Sequence, residues 1–149
     1  MTIKPTMGDC CDLFVNRHED CAFSSCPRCD AKTKVRKFYL AIHVEPALVV
    51  VLNKRCRFCE KCGLLIVNKA ELESLMVHAV ERERPELVGN QYSVFGSFSR
   101  ADGQAIARSR DHGKAVPGAA IERVRPFRDS LLFEPNWRTW QPDSLKRPG

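Results

Sequence analysis

The chain has 149 residues, 44% of them apolar, a net charge of +6 and eight cysteines, and this length allows one domain with a real core. No apolar run approaches the length of a membrane span, so we expect no membrane contact. Polar and cysteine residues lie where a secretory signal would need an apolar segment: Asp9, Cys10, Cys11 and Asp12. We therefore expect a cytoplasmic protein. Because a cytoplasmic chain keeps its thiols reduced, the cysteines indicate metal binding rather than disulfides.

Residues 1–24 mix glycine, aspartate and cysteine without a period, and we expect a loosely structured arm. One interpretation makes four residues of this arm, Cys10, Cys11, His18 and Cys21, a second metal site, with Cys56 as a further ligand. Their spacing matches no metal-binding turn, which favours exposed or partly buried thiols instead.

A long β-hairpin is predicted between the cysteine motifs. Residues 35–45 alternate, with Phe38, Leu40, Ile42 and Val44 on one side, which is the period of a half-buried strand. Pro46 interrupts the alternation, and "ALVVVLNKR" at 47–55 forms the returning strand. The cysteine motifs then lie at the open end of the hairpin.

A third strand, an amphipathic helix and a fourth strand are predicted next. "GLLIV" at 63–67 is a short strand, and the helix follows with Asn68 as its N-cap and Glu71 completing a capping-box pattern. Its apolar residues recur at helical spacing: Leu72, Leu75, Met76, Ala79 and Val80. Pro85 ends the helix, and "QYSVFGSF" at 91–98 alternates as a strand.

The remaining residues, 100–149, are expected to form a less regular C-terminal extension that docks on the domain formed by residues 25–99. A short helix is predicted from Pro117 to include Ile121 and Val124, and "LLF" at 131–133 is expected to dock on the core. Trp137 and Trp140 either fold back on the core, which we favour, or anchor a protein partner.

The strongest functional signal is a pair of C-x-x-C turns. "CPRC" at 26–29 is the first, and "CRFCEKC" at 56–62 contains the second. Two such turns, brought together by a hairpin, supply the four thiolates of a structural zinc site. The residue after the second cysteine of each turn often has positive φ, which suits Gly63 and Asp30 better than Glu60. The predicted ligands are therefore Cys26, Cys29, Cys59 and Cys62.

This choice leaves Cys56 without a place in the site. A small buried core residue is the favoured interpretation. Exchange with Cys59 or Cys62 as a ligand, and a redox-sensing thiol that displaces a ligand on oxidation, are the alternatives.

The pattern "CPRCD", a long β-hairpin and "CEKCG" resembles the zinc-ribbon group over about residues 24–67. The block "CRFCEKCGLLIVNKAELESL" is also similar to small bacterial zinc-ribbon proteins of unassigned function. The resemblance implies an α+β fold, with a zinc-ribbon antiparallel sheet and structural Zn²⁺. Four cysteines also hold iron in rubredoxins, which makes a rubredoxin-like electron carrier the lesser alternative.

The sequence favours a binding module over an enzyme. A shell of four thiolates leaves no open position for catalysis, and His43, His78 and His112 belong to no catalytic motif. No small-molecule substrate is indicated.

A partner is indicated by nine basic and only two acidic residues between positions 31 and 69. Contact with DNA or RNA is expected through a basic patch beside the cysteine turns, with Phe58 and Tyr39 stacking on bases. The patch residues are Lys32, Lys34, Arg36, Lys37, Lys54, Arg55, Arg57 and Lys61. In the alternative, the basic residues only keep the protein soluble, and the acidic helix makes it a protein-protein adaptor.

Overall fold

The computed structural model describes residues 11–106 and 113–133. The predictions for Cys10, His112, Trp137 and Trp140 therefore lie outside the described residues. Over these ranges the architecture is α+β, with a curled, mixed sheet of eight strands, two α-helices and two short 3-10 helices.

The strands, in chain order, are β1 (Asp12–Asn16), β2 (Lys34–Val44), β3 (Leu48–Cys59), β4 (Leu64–Asn68), β5 (Tyr92–Phe98), β6 (Gly113–Ala115), β7 (Arg125–Pro126) and β8 (Ser130–Leu131). The helices are α1 (Lys69–Glu83) and α2 (Arg100–Ile106), and the 3-10 helices span Pro85–Leu87 and Gly118–Arg123. The strand order is β7-β5-β2-β3-β4-β1-β8, and β6 pairs with the first half of β3.

The predicted hairpin is confirmed as β2 and β3. Their antiparallel register runs without a break from Lys34 opposite Phe58 to Val44 opposite Leu48. The predicted alternation also holds, because Phe38 and Leu40 lie in a buried core together with the apolar face of α1. The opposite face is covered as well around Ala41. A second layer forms there because β5 and Val116 supply apolar side chains that the local alternation does not reveal.

The helix α1 begins where the sequence predicts. The Asn68 side chain accepts a hydrogen bond from the backbone N–H of Glu71 at 2.9 Å, which satisfies an otherwise unpaired donor of the first turn. The buried residues Leu72, Met76, Ala79 and Val80 pack in the same core as Phe38 and Leu40 of β2. None of the helices in the described ranges has the length and apolarity needed to cross a membrane.

The expectation of a loosely structured arm is wrong for residues 12–16, which form β1. This strand is buried and runs parallel to β4, from Asp12 opposite Leu64 to Asn16 opposite Asn68. Leu13 belongs to the core under α1, whereas Phe14 belongs to a second core beside the cysteine turns. Because both faces are covered, "DLFVN" has no alternation for a sequence pattern to detect.

The two edges of the sheet are joined by residues 125–133, which we name the closing segment. Its first part, β7, pairs with β5, and its last part, β8, pairs with β1. Between them, the backbone N–H of Phe127 donates to the carbonyl of Phe95, and that of Arg128 donates to the carbonyl of Cys11. The predicted docking of "LLF" is confirmed for Leu131 and Phe133, whereas Leu132 is exposed.

Candidate metal centre

Two turns at one end of the β2–β3 hairpin form the candidate metal centre. The first knuckle, residues 26–30, precedes β2, and the second knuckle, residues 59–63, follows the end of β3. Since Lys34 lies opposite Phe58 in the antiparallel register, the pairing brings the two knuckles together, although Cys29 and Cys59 are 30 positions apart in the sequence.

The structure brings together the four cysteines that the sequence analysis selected. Their sulfur atoms all lie within 4.8 Å of one another, and this is the only such cluster of metal-binding side chains among the described residues. Cys26 Sγ lies 3.5 Å from Cys62 Sγ, and Cys29 Sγ lies 3.4 Å from Cys59 Sγ. A tetrahedral ion with metal–sulfur bonds of about 2.3 Å places its sulfurs roughly 3.8 Å apart. The spacing and the donor set therefore fit one four-coordinate ion.

The two knuckles have the same backbone conformation. Asp30 and Gly63, which follow the second cysteine of each turn, have φ of 69° and 75°, as the sequence predicted. Their N–H groups close the turns by donating to the carbonyls of Cys26 and Cys59, at 2.8 and 2.9 Å. The first sulfur of each turn also accepts backbone N–H groups from the residues two and three positions later. Such repeated N–H···S contacts stabilise thiolates in a metal shell.

The environment of the thiols affects their protonation. Burial raises the pKa of Cys26 to about 12, although the backbone N–H groups of Cys29 and Arg28 oppose the shift. Burial also raises the pKa of Cys59. For Cys29 burial acts in the same direction, but hydrogen bonds from Ala31 and from neighbouring cysteines outweigh it and lower the pKa. Metal binding must therefore displace protons from Cys26 and Cys59, and affinity is expected to rise with pH.

Arg28 is a site residue that the sequence analysis missed. Its side chain reaches from the first knuckle to the second, where Nε donates to Cys62 Sγ at 3.4 Å and Nη2 donates to the Cys62 carbonyl at 2.8 Å. Nη1 donates to the carboxylate of Asp12 at 2.6 Å. The sequence signal was present, because Arg28 lies inside "CPRC" and Asp12 is a charged residue at the start of an apolar run.

Cys56 lies on the opposite face of the sheet from the metal centre. In a strand, residues three positions apart point to opposite faces, so Cys56 and Cys59 cannot serve one site while β3 stays regular. Cys56 is buried in the core under α1, and burial raises its pKa to about 12. These observations support the buried-core interpretation of Cys56 over ligand exchange.

The proposed second metal site finds no support among the described residues. Cys21 belongs to the core beside the knuckles, whereas Cys11 belongs to the core under α1. Both cysteines are buried, so the alternative of exposed thiols in an arm is also wrong for them.

The eight predicted patch residues do not form one surface. Lys54 is buried, and its ammonium group is held by the Glu71 carboxylate at 2.7 Å, so its assignment to the patch is wrong. Lys34 and Arg36 point to the same side of β2 and both pair with Glu60. Lys32 and Lys61 are exposed beside the knuckles.

The remaining three residues lie together on the other side of the hairpin. Lys37 and Arg55 are register partners, and Arg57 lies two residues further along β3. We name this surface the outer basic face (Lys37, Arg55, Arg57). Lys37 and Arg55 are exposed and form no ion pair with another residue of the described ranges.

The two aromatic residues expected to stack on bases both pack against other parts of the chain, Phe58 fully and Tyr39 in part. Phe58 is buried against Phe38, with ring centroids 5.5 Å apart. Tyr39 lies under α2 so closely that a Cβ atom on Gly103 would be 2.1 Å from its Cγ. Stacking by Phe58 is therefore wrong as a prediction, whereas stacking by the partly exposed Tyr39 stays a prediction.

No protein-family model, no curated protein and no solved structure matches this chain. The resemblance to zinc ribbons thus rests on the two equivalent knuckles and on the hairpin between them.

Proposed function

We propose that the protein is a structural-zinc module. The observation that carries this proposal is the cluster of four cysteine sulfurs on two turns of matching conformation. Four thiolates close the coordination shell, which suits a structural role rather than catalysis. A bound Zn²⁺ would join the two knuckles and so fix the open end of the hairpin.

Zinc is favoured over iron because four thiolates on two C-x-x-C turns are a common closed shell of structural zinc. Four thiolates give Zn²⁺ a formal charge of −2, which Arg28 and the lysine and arginine residues of the adjacent strands offset. Iron in the same shell would make the protein an electron carrier, and the purified protein would then be coloured.

We also propose that the module binds nucleic acid through the outer basic face. Lys37 and Arg55 lie directly opposite each other, and like charges at such positions destabilise a sheet by a few tenths of a kcal/mol. Neither residue has an acidic partner among the described residues, and Val35 beside them is 51% exposed. Two neighbouring positive charges without an acidic partner are expected where an external anion binds them.

The contact is expected to be directed at phosphates. Because Phe58 is buried and the Tyr39 ring packs against α2, the hairpin offers little aromatic surface for base stacking. Three basic side chains that each neutralise one phosphate of a duplex would give a slope of log affinity against log salt concentration of about −2.7.

The adaptor alternative rests on the acidic residues of α1 and the turn that follows it. Several of these carboxylates are already used within the chain: Glu71 pairs with Lys54, Glu73 with Lys69, and Glu86 with Arg84. Less negative charge is therefore left for a basic partner than the sequence suggests.

Two double charge reversals on the same strands test the nucleic-acid proposal. Lys37→Glu with Arg55→Glu alters the outer basic face, whereas the control, Lys34→Glu with Arg36→Glu, makes the same change in net charge on the other side of β2. Binding of a labelled DNA duplex and of the corresponding RNA duplex would be followed by fluorescence anisotropy at two salt concentrations, with zinc content measured on each variant.

We expect at least tenfold weaker binding for the outer-face variant and a smaller loss for the control. Equal losses of affinity in the two variants would mean that binding depends on net charge and not on the outer basic face. No binding by the parent at low salt would contradict the nucleic-acid proposal and favour the adaptor alternative.

A further inference from the structure

A buried carboxylate lies between the metal centre and the closing segment. The Asp12 side chain is 3% exposed and belongs to the first residue of β1. Two guanidinium groups hold it from opposite parts of the chain. Arg28 comes from the first knuckle, and Arg128 comes from the closing segment, 116 residues away from Asp12.

The Arg128 contact is bidentate. Nε lies 3.0 Å from Oδ1 of Asp12, and Nη2 lies 2.7 Å from Oδ2. These hydrogen bonds, those from Arg28 and the positive charges together lower the pKa of Asp12 despite its burial. Asp12 is therefore a carboxylate anion between two cations, and removing one cation leaves buried charge poorly compensated.

Arg28 extends this connection to the second knuckle through its hydrogen bonds to the sulfur and the carbonyl of Cys62. A guanidinium group beside a metal-binding sulfur stabilises the thiolate form and orients it. Outer residues of this kind typically change metal affinity by tenfold to a hundredfold.

An apolar contact connects the same two regions independently. Phe14 of β1 packs edge-on against Phe133 of the closing segment, with ring centroids 5.2 Å apart. Leu131 and Phe133 belong to the same core as the four knuckle cysteines. A displacement of the closing segment would therefore expose the apolar side of the metal centre.

We propose that Asp12 is a positioning residue that couples the metal centre to closure of the sheet. It holds Arg28 at Cys62 and Arg128 on β1, so metal binding and docking of the closing segment stabilise each other. The coupling rests on the proposed metal centre. Because coupling free energies are reciprocal, undocking of the closing segment must weaken metal binding by the same factor by which metal removal weakens docking.

The central variant is Arg128→Ala, whose side chain is 54% exposed, so the protein is expected to fold. Its matched control is Arg123→Ala. Arg123 is also a largely exposed arginine that pairs with an aspartate, Asp102, and among the described residues its ion pair and hydrogen bond involve neither β1 nor the knuckles. Zn²⁺ affinity would be measured by competition with a chromophoric chelator.

We expect about tenfold weaker Zn²⁺ affinity for Arg128→Ala and an unchanged affinity for Arg123→Ala. A parent protein that binds no Zn²⁺ would overturn the metal centre and the coupling together. A parent that binds Zn²⁺ with equal affinities in both variants would overturn the coupling alone.

A second measurement needs no substitution. Amide hydrogen exchange in the parent, with and without chelator, should show at least tenfold faster exchange in the closing segment after metal removal, since Arg128→Ala removes only part of the coupling. Faster exchange confined to residues 26–30 and 59–63 would overturn the coupling while leaving the metal centre in place.

Discussion

Replacing Cys56 and Cys59 by serine, one at a time, tests the assignment of the metal ligands. The two residues lie three positions apart on β3, and both are buried. They differ in the face to which their side chains point, since Cys59 belongs to the sulfur cluster and Cys56 belongs to the core under α1. The two variants therefore share strand, burial and chemical change, and differ only in the proposed role.

The two substitutions are expected to change different quantities: Cys59→Ser lowers the zinc affinity, and Cys56→Ser lowers the free energy of unfolding. Structural zinc is bound with an apparent free energy of about 10–16 kcal/mol, so one ligand of four corresponds to about 3 kcal/mol, or more than a hundredfold in affinity. Cys56→Ser leaves the site intact. Its Sγ lies 3.7 Å from the Lys54 carbonyl, and the shorter C–O bond of serine leaves the hydroxyl group without a good acceptor. The free energy of unfolding should fall by about 1–3 kcal/mol.

Zinc stoichiometry and chelator competition measure the change in zinc affinity, and urea unfolding of the zinc-loaded protein measures the change in the free energy of unfolding. We expect Cys59→Ser to lose zinc at chelator concentrations that the parent withstands, and Cys56→Ser to keep one equivalent. Loss of zinc from Cys56→Ser to the same extent as from Cys59→Ser would refute the assignment and favour ligand exchange.

Three further predictions concern stability. Gly63→Ala should lower the free energy of unfolding by about 1–2 kcal/mol in urea titrations, because Gly63 has φ of 75°; an unchanged midpoint would contradict this conformation of the second knuckle. Gly103→Ala should cost about 1–3 kcal/mol in the same assay, since the new Cβ overlaps the Tyr39 ring, and a neutral effect would mean that α2 does not cover Tyr39. Burial raises the pKa of Cys56 from 9.0 to about 12, so the contribution of its neutral thiol to the free energy of unfolding is complete below pH 9 and is lost as pH rises towards 12. Between pH 8 and 10 the free energy of unfolding of the parent should therefore fall by about 1.4 kcal/mol more than that of Cys56→Ala. Equal losses would place Cys56 outside the core.

The local parts of the fold were predictable because their signals are local. The alternation around Leu40 predicts β2, and the cap at Asn68 predicts the start of α1. Each knuckle likewise carries its own signal, since its two cysteines and its positive-φ residue lie within five positions. The four cysteines were therefore selected correctly as one cluster without knowledge of the sheet.

The remaining parts depend on contacts between distant residues. β1 was missed because both of its faces are covered, and the strand pairing of the closing segment was missed because β7 and β8 are only two residues long. The extent of the basic patch was overestimated because it too depends on contacts between distant residues. Nothing local indicates that Lys54 turns inward to Glu71, or that α2 covers Tyr39.

The metal content of the protein tests the central claim most directly. Untagged protein, purified under reducing conditions and reconstituted with Zn²⁺, would be passed over a desalting column and analysed for zinc and iron. The account predicts one zinc per chain and no colour. Protein that retains no metal in this procedure would contradict a four-cysteine metal centre, and one retained iron with visible absorption would replace the zinc assignment.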